Sequence, residues 1–383
     1  MGVVERLKLG VTLLGFLTLA YTYIAAGFII CALMLCSCVI WPINKTIYRI
    51  INVHLGYCFW SFYTFLGDWW SNSTCLLYVS EEDHKLMGKE NVLCMQNHRY
   101  EIDWLMTGIV ADHFNMLGNH KVYSKNSHKY VPLVGWTWYF TESLFLKRNW
   151  QEDKTILKTG LKNLTCYPKD YPVTLYMYPE GTRFTEEKHK ASLEVSRSKG
   201  YPDMKHHLLP RPKGLMAFVR DMRGKFDSVL DSEILFAEHP KPSVWTIAQR
   251  IPVTAHIYMK RYKIEDIPVE TDQECAEWLR DLYLKKDKMF DEFINNGKLQ
   301  GVPYKIPKSY KNIMNAFFWM LVTCLPLFNL IAGIIISGTF ISRIILVLAF
   351  ITVIILFRLI MSVTEIDSGS KYGHKTSTNG KTE

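Results

Sequence analysis

A histidine and an aspartate five positions apart are the first side chains in this sequence whose types and spacing could do chemistry. His98 and Asp103 lie in the segment NHRYEID (97–103), directly after a short apolar run. A neutral histidine can remove a proton near pH 7, and a carboxylate can hold its tautomer and stabilise the imidazolium. On a continuous helix the two side chains would point about 140° apart. We therefore expect His98 to precede a helix and Asp103 to reach back from its first turn. The structural alternative is that Asp103 favours the start of a helix and His98 fills a strand end.

A second polar cluster, YPEGTR (178–183), also follows a β-rich run. Arg183 offers a planar fork that suits phosphate, and Gly181 lets backbone approach a ligand closely. Ligands of open α/β sheets bind outside the carboxyl ends of the strands, so the two clusters could face one site. The structural alternative is a polar turn with a surface arginine.

The elements that must position these clusters lie between about residues 80 and 311. Predicted strands cover 92–95, 173–178, 229–236 and 253–258, and predicted helices cover 150–167, 214–224 and 272–296. Strands that alternate with helices predict an α/β domain with a central sheet over residues 80–311.

Long uncharged stretches flank this domain. Residues 9–44 and 312–342 are each long enough to cross about 30 Å of hydrocarbon, and 344–357 suffices only if it continues past Arg358 to 364. We predict a membrane anchor over 1–45 and a transmembrane hairpin over 312–364. The first stretch is too long for a secretory signal. It is also longer than one membrane span requires, so three arrangements remain possible: a tilted helix, a helix broken near Gly27, or a hairpin.

The segment between the anchor and the domain, 46–79, is rich in aromatic residues. Aromatic side chains at that density favour the headgroup zone, so we predict an interfacial helix followed by a linker. A core helix of the α/β domain is the alternative. The last segment, 365–383, is polar and predicts a loose tail.

Four blocks, in this order along the chain, resemble the signature blocks of the 1-acylglycerol-3-phosphate acyltransferase family. The blocks are NHRYEID (97–103), ESLFLKR (142–148), EGTR (180–183) and HLLPRPKG (207–214). Two further stretches, VPLVGWTW (131–138) and VTEI (363–366), resemble the gamma/delta branch of that family. The resemblance implies an acyltransferase-type α/β domain and an enzyme of phospholipid biosynthesis.

The same resemblance implies a site that takes acyl-CoA as co-substrate and lysophosphatidate as acceptor. His98 and Asp103 would be catalytic. The residues implied in substrate binding are Asn97, Lys125, Phe145, Arg148, Glu180, Gly181, Thr182, Arg183 and Pro210. Since no Gly-x-Ser-x-Gly element is present, we expect direct attack on the thioester without an acyl-enzyme.

Particular roles follow for the charged members of the site. Arg183, supported by Lys125 and Arg148, would bind the acceptor phosphate, and Glu180 would orient an arginine or the backbone at a helix end. Two further basic residues, Arg211 and Lys213, are candidates for the CoA phosphates or else belong to a solvated basic surface.

Two positions depart from many relatives. Glu142 stands where many have glycine, and Ser127 stands where many carry a glutamate two residues after the lysine that matches Lys125. Both departures concern the acceptor headgroup. An acceptor such as lysophosphatidylinositol therefore remains an alternative, and a non-catalytic membrane scaffold is the alternative from a different class.

The net charge and the cysteine content limit the kinds of ligand and partner that the protein is expected to bind. A formal net charge of +9 in a chain with membrane segments indicates anionic headgroups and polyphosphate ligands rather than nucleic acid. The nine cysteines form no C-x-x-C pair, so we expect no metal and no resident cofactor. We predict a multi-pass protein of the endoplasmic reticulum membrane whose catalytic domain faces the cytosol.

Overall fold

The computed structural model describes residues 3–237 and 242–364, and an eight-stranded sheet lies at its centre. The strands are β1 (Thr74–Tyr78), β2 (Val92–Gln96), β3 (His120–Lys125), β4 (Leu144–Leu146), β5 (Thr174–Met177), β6 (Ser228–Phe236), β7 (Thr254–Lys263) and β8 (Tyr304–Lys305). The first six helices are α1 (Val3–Ser37), α2 (Lys45–Phe65), α3 (Glu81–Leu86), α4 (Asp103–His113), α5 (Val134–Phe140) and α6 (Trp150–Leu164). They are followed by α7 (Glu186–Ser198), α8 (Lys213–Met222), α9 (Val244–Ala248), α10 (Asp272–Asn296), α11 (Tyr310–Ser337) and α12 (Phe340–Thr364).

The strand order is β4-β3-β5-β2-β6-β7-β1-β8. The five strands from β4 to β6 run parallel to their neighbours, whereas β7 is antiparallel to β6. The carboxyl ends of β4, β3, β5 and β2 therefore lie along one edge of the sheet. The prediction of an α/β domain with a central sheet is confirmed.

Two hydrophobic clusters cover the two faces of this sheet. Leu93 and Met95 of β2 join a cluster with α6, α8 and α10, and Cys94 joins another cluster with α4 and α9. Successive strand side chains point to opposite faces, which explains why neighbouring residues enter different clusters. β2 and β6 are buried along their whole length. β2 reads as an apolar run, as expected of a strand covered on both faces, whereas β6 carries the buried Asp231, Ser232 and Glu233 among its apolar residues.

Four strands, β1, β3, β4 and β8, escaped the sequence prediction. β3 reads HKVYSK and is not apolar enough to stand out, and β4 has only three residues. Both are held by parallel pairing, since β3 lies between β4 and β5. The short edge strand β8 likewise depends on its antiparallel partner β1. Pairing of this kind joins distant residues and leaves little local signature.

Two of the described helices contain stretches long and apolar enough to cross a membrane, Gly10–Ser37 of α1 and Tyr310–Ser337 of α11. The most apolar part of α11 is 6% buried, so it presents apolar side chains almost all round, as a lipid-facing helix does. α12 follows α11 after two residues and stays helical to Thr364, and it contains the apolar stretch Phe340–Val353. The predicted polar tail, 365–383, lies outside the described residues.

The aromatic segment predicted to lie at the membrane interface forms α2. One face of α2 is buried against α1, α4 and α11, and it includes Phe59, Trp60 and Phe62. This packing is that of a core helix, the alternative given for this segment. A headgroup position for the remaining face of α2 stays a prediction.

Candidate active site

His98 and Asp103 meet at the carboxyl end of β2. α4 begins at Asp103, and the Nδ1 atom of His98 lies 3.2 Å from the Oδ2 atom of Asp103. The aspartate therefore reaches back from the first helical turn, as the spacing requires. The imidazole stacks on the Tyr178 ring at 4.5 Å between centroids.

The other ring nitrogen of His98 is open. Among the described residues no hydrogen-bond partner faces Nε2, and 24% of the His98 side chain is exposed. A histidine whose Nδ1–H is donated to a carboxylate presents an unprotonated Nε2, which can accept a proton.

Asp103 organises the loop as well as the imidazole. Its Oδ2 atom also accepts hydrogen bonds from the backbone N–H groups of Arg99 (2.8 Å) and Tyr100 (2.9 Å). The residue is fully buried, and burial raises the pKa of Asp103 against the opposing effect of His98 and the two backbone donors. One carboxylate oxygen thus fixes both the turn and the orientation of His98.

Glu180 joins the catalytic loop, 97–103, to two other signature blocks. Its Oε1 atom accepts the N–H of His98 (3.1 Å) and its Oε2 atom accepts the N–H of Leu208 (3.2 Å). Two roles were predicted for Glu180, and these contacts match the one in which it holds backbone N–H groups, not the one in which it orients an arginine. A further bond runs from the Phe184 N–H to the His98 carbonyl at 2.7 Å.

Basic side chains surround the turn at Gly181, whose φ of +72° suits a residue without a Cβ atom. Arg148 approaches the Gly181 carbonyl at 3.5 Å, and the Arg211 side chain lies against the Gly181 Cα. Arg183 lies on the same turn, 3.8 Å from Glu101. Arg148 follows β4, Arg183 follows β5 and Arg211 precedes α8, and together these side chains form a concentration of positive charge next to the catalytic loop.

The sequence prediction missed Lys188, a member of this basic group on α7. Its Nζ atom donates to the Thr182 hydroxyl (2.7 Å) and to the Arg183 carbonyl (3.2 Å). Burial lowers the pKa of Lys188, and the neighbouring Arg183 and Arg148 lower it further. Lys188 lies six residues after Thr182 in a helix with many charged residues, so no sequence pattern marked it as a site residue.

Lys125 lies at the end of β3, beside Leu146 of β4, on the same edge of the sheet. Lys125 and Arg148 both lower the pKa of His128, after the larger effect of burial. Cations therefore dominate the field on this side of the site too. The positive region extends over the carboxyl ends of β3, β4 and β5.

Three other predicted binding residues are placed differently. Asn97 is buried, and its side-chain amide donates to Glu233 and to the Ile234 carbonyl and accepts from the Ile234 N–H. It therefore holds the loop and does not face the site. Phe145 is half-buried within β4, and Pro210 is buried in the turn before α8. That Phe145 and Pro210 contact substrate stays a prediction. The geometry does not support such a contact for Asn97.

No group of three or more His, Cys, Asp or Glu residues suited to a metal ion occurs in the described part of the chain. The described site combines an imidazole whose Nε2 atom is open with a region of positive charge.

The class of protein follows from the match of these blocks to known families. Residues 78–230 match the family described as Acyltransferase, and residues 246–319 match the one described as Acyltransferase C-terminus. The first match contains all four signature blocks. The chain is an acyltransferase, and so an enzyme.

Curated relatives narrow the class. The chain is 37% identical over 361 residues to the 1-acyl-sn-glycerol-3-phosphate acyltransferase delta of Homo sapiens, covering 94% of this chain and 95% of that protein. It is 36% identical over 363 residues to the human gamma protein, with 94% and 95% covered. The chain belongs to the 1-acyl-sn-glycerol-3-phosphate acyltransferase family, in its gamma/delta branch, and the resemblance seen in the sequence is confirmed.

A solved structure is also similar. The 1-acyl-sn-glycerophosphate (LPA) acyltransferase PlsC of Thermotoga maritima aligns with a TM-score of 0.45 at 16% identity, over 74% of this chain and 96% of that one.

Proposed function

We propose that this enzyme transfers an acyl group from acyl-CoA to the sn-2 hydroxyl of lysophosphatidate and so makes phosphatidate. The observation that carries the proposal is the open Nε2 atom of His98, held by Asp103 next to the basic turn at Gly181. The relatives in the gamma/delta branch are named for action on 1-acyl-sn-glycerol-3-phosphate.

In the proposed reaction His98 acts as general base. Its Nε2 atom removes the proton of the acceptor hydroxyl while the oxygen attacks the thioester carbonyl carbon. The new C–O bond forms and the C–S bond breaks. The proton then passes from the imidazolium to the CoA thiolate, so that phosphatidate and CoA leave and His98 is neutral again. Asp103 stabilises the imidazolium while it exists.

In this proposal the acceptor phosphate binds at the turn 180–183. Arg183 supplies a planar pair of donors, and Arg148 and Lys188 add positive charge within the same group. Lysophosphatidate carries its phosphate as a terminal group, which can contact several of these cations at once. A larger headgroup such as inositol would have to be accommodated beyond it.

The direct test is a membrane assay with acyl-CoA and a panel of lysophospholipids. We expect the highest kcat/KM with lysophosphatidate and formation of phosphatidate. A higher kcat/KM with lysophosphatidylinositol would contradict the choice of acceptor, and no transfer to any lysophospholipid would contradict the reaction.

Replacing Arg183 by lysine tests the phosphate site. Lysine keeps the charge but loses the bidentate fork, so we expect the KM for lysophosphatidate to rise about tenfold, equivalent to about 1.4 kcal/mol, with a smaller change for acyl-CoA. Arg197→Lys is the matched control, since Arg197, near the end of α7, forms an exposed pair with Asp203 in the following loop. If only the KM for acyl-CoA moves, Arg183 belongs to the CoA site.

The proposed location is the endoplasmic reticulum membrane, with the catalytic domain on the cytosolic side. Lys305, Lys308 and Lys311 precede the uncharged stretch 312–342, and Arg358, Lys371 and Lys375 follow the second apolar run, 344–357. Cations on both flanks of a hairpin favour a cytosolic position for both. Acyl-CoA is a large polyanion that does not cross a bilayer unaided, and this favours the same orientation.

An epitope inserted after Lys375 tests this orientation. We expect antibody to reach it once the plasma membrane alone is permeabilised. Detection only after internal membranes are opened, or glycosylation at Asn163, would place this part of the chain on the lumenal side and contradict the proposal.

A further inference from the structure

A cluster of five ionisable side chains lies buried behind the catalytic loop. Its members are His207, Asp231, Glu233, Lys286 and Asp287. None exposes more than 10% of its side chain. The acyl-transfer steps described above use none of them, so their burial needs a different explanation.

The imidazole of His207 bridges two elements of the fold. Its Nε2 atom lies 2.9 Å from the Oε1 atom of Glu233 on β6, and its Nδ1 atom lies 3.1 Å from the Oδ1 atom of Asp287 on α10. The Nζ atom of Lys286, also on α10, lies 2.9 Å from Asp231 and 3.3 Å from the second oxygen of Glu233. α10 is thereby joined to β6 and to the loop before α8 by charge-assisted contacts.

The cluster reaches the backbone of His98 by two routes. Glu233 accepts a hydrogen bond from the Asn97 amide at 2.8 Å, and Asn97 directly precedes His98. Glu180 holds the N–H of Leu208, which follows His207, and with its other oxygen the N–H of His98. A shift of His207 or Glu233 would therefore move the catalytic histidine from two sides.

Stability alone is a poor reason for such a cluster. Buried ion pairs often contribute no more than apolar groups of the same volume, but a network of matched donors and acceptors admits few geometries. Because Glu233 and Asp287 both accept from His207, the pKa of His207 is raised to about 9 despite its burial, and the ring is a cation at neutral pH. The network then holds two cations between three carboxylates.

We propose that this buried ion cluster is the device by which α10 fixes the catalytic loop, and that Asp287 is a positioning residue for His98. The inference rests on the proposed role of His98 as general base. It gives the C-terminal region, matched separately as residues 246–319, a defined task in the reaction: its helix α10 supplies Lys286 and Asp287 to a network that ends at His98.

Asp287→Asn is the variant that tests this proposal. Asparagine keeps the size of the side chain but removes its charge and one acceptor, so the tie to His207 and to the backbone N–H groups of Lys205 and His206 is weakened. A displaced base slows the chemical step, whereas the residues that bind substrate are untouched. We expect kcat to fall roughly 10–100-fold, with both KM values within about twofold of wild type.

The matched control is Asp291→Asn, one turn further along α10. Asp291 also pairs with Lys205 and His206, but it is 38% exposed and lies outside the cluster. We expect its kcat and KM values to stay within about twofold of wild type. The proposal is overturned if Asp287→Asn keeps its kcat, if it raises a KM and leaves kcat unchanged, or if Asp291→Asn loses as much. All enzymes are full-length, and rates are measured well below the thermal midpoint of each variant.

The pH dependence of wild-type kcat tests the same proposal without any variant. The titratable groups that face His207 are Glu180 and Glu233, Asp231 beyond them, and Tyr283, Lys286 and Asp287 on α10. Since the cluster needs the imidazolium, kcat should decline as pH rises through about 9. In Asp287→Asn the decline should move to lower pH, because an anion that stabilises the cation has been removed. A wild-type kcat that stays level up to about pH 10 overturns the proposal.

Failure of this inference can be told apart from failure of the proposed function. If wild-type enzyme acylates no lysophospholipid, or His98→Ala is as active as wild type, the proposed function is wrong. If His98→Ala is inactive while Asp287→Asn keeps its kcat, the function stands and the positioning role of the cluster is wrong. The acceptor in these assays is the lysophospholipid that the wild-type enzyme uses best.

Discussion

His98→Ala is expected to lower kcat by about 10²–10⁴-fold, the usual contribution of a positioned general base. The imidazole is the group whose open Nε2 atom can accept the hydroxyl proton, and 24% of its side chain is exposed to the site. Because the side chain stacks on Tyr178 at the surface of the domain and is not part of the core, the fold should survive the loss. Initial rates in membranes, normalised to folded protein, measure the effect.

His113→Ala is the matched control for this variant. His113 occupies the other end of α4, where its ring contacts Phe114 and Tyr304 away from the catalytic loop. We expect that control to retain activity within about twofold. Comparable activity of His98→Ala and wild type would refute general-base catalysis by His98.

Asp103→Asn is expected to lower kcat by roughly 10²-fold or more, with little change in either KM. His98 and the two backbone N–H groups all donate to the same oxygen, Oδ2, so an asparagine carbonyl placed there can keep the turn. The variant loses the negative charge that stabilises the imidazolium. The fall in rate is thus an electrostatic effect on the transition state, visible in kcat and not in substrate binding.

Asp112→Asn separates this effect from the general cost of replacing a buried carboxylate. Asp112 lies on the same helix and accepts hydrogen bonds from Thr64 and Asn312, far from the catalytic loop. We expect it to lower the thermal midpoint but not the activity per folded molecule. If Asp103→Asn lowers the thermal midpoint while its kcat per folded molecule is unchanged, Asp103 is structural, and it only favours the start of the helix.

The sequence alone determined the chemistry-bearing residues and much of the sheet. β2, β5, β6 and β7 contain short β-rich runs, and α6, α8 and α10 carry helical patterns, since these signals arise from residues close together in the chain. The position of His98 before a helix that starts at Asp103 followed from side-chain geometry over five residues. Strands β3 and β4 were missed because their stability comes from pairing and not from their own composition.

Tertiary structure alone decided how the site is held together. Glu180 holds the backbone of His98 across 82 positions, Asn97 reaches Glu233 across 136, and His207 reaches Asp287 across 80. No local pattern encodes such contacts, because each depends on which strand ends become neighbours in the sheet. Residue types and short spacings can be read directly from the sequence. The partners of a buried polar group are decided only when distant segments pack together and its hydrogen bonds must be satisfied.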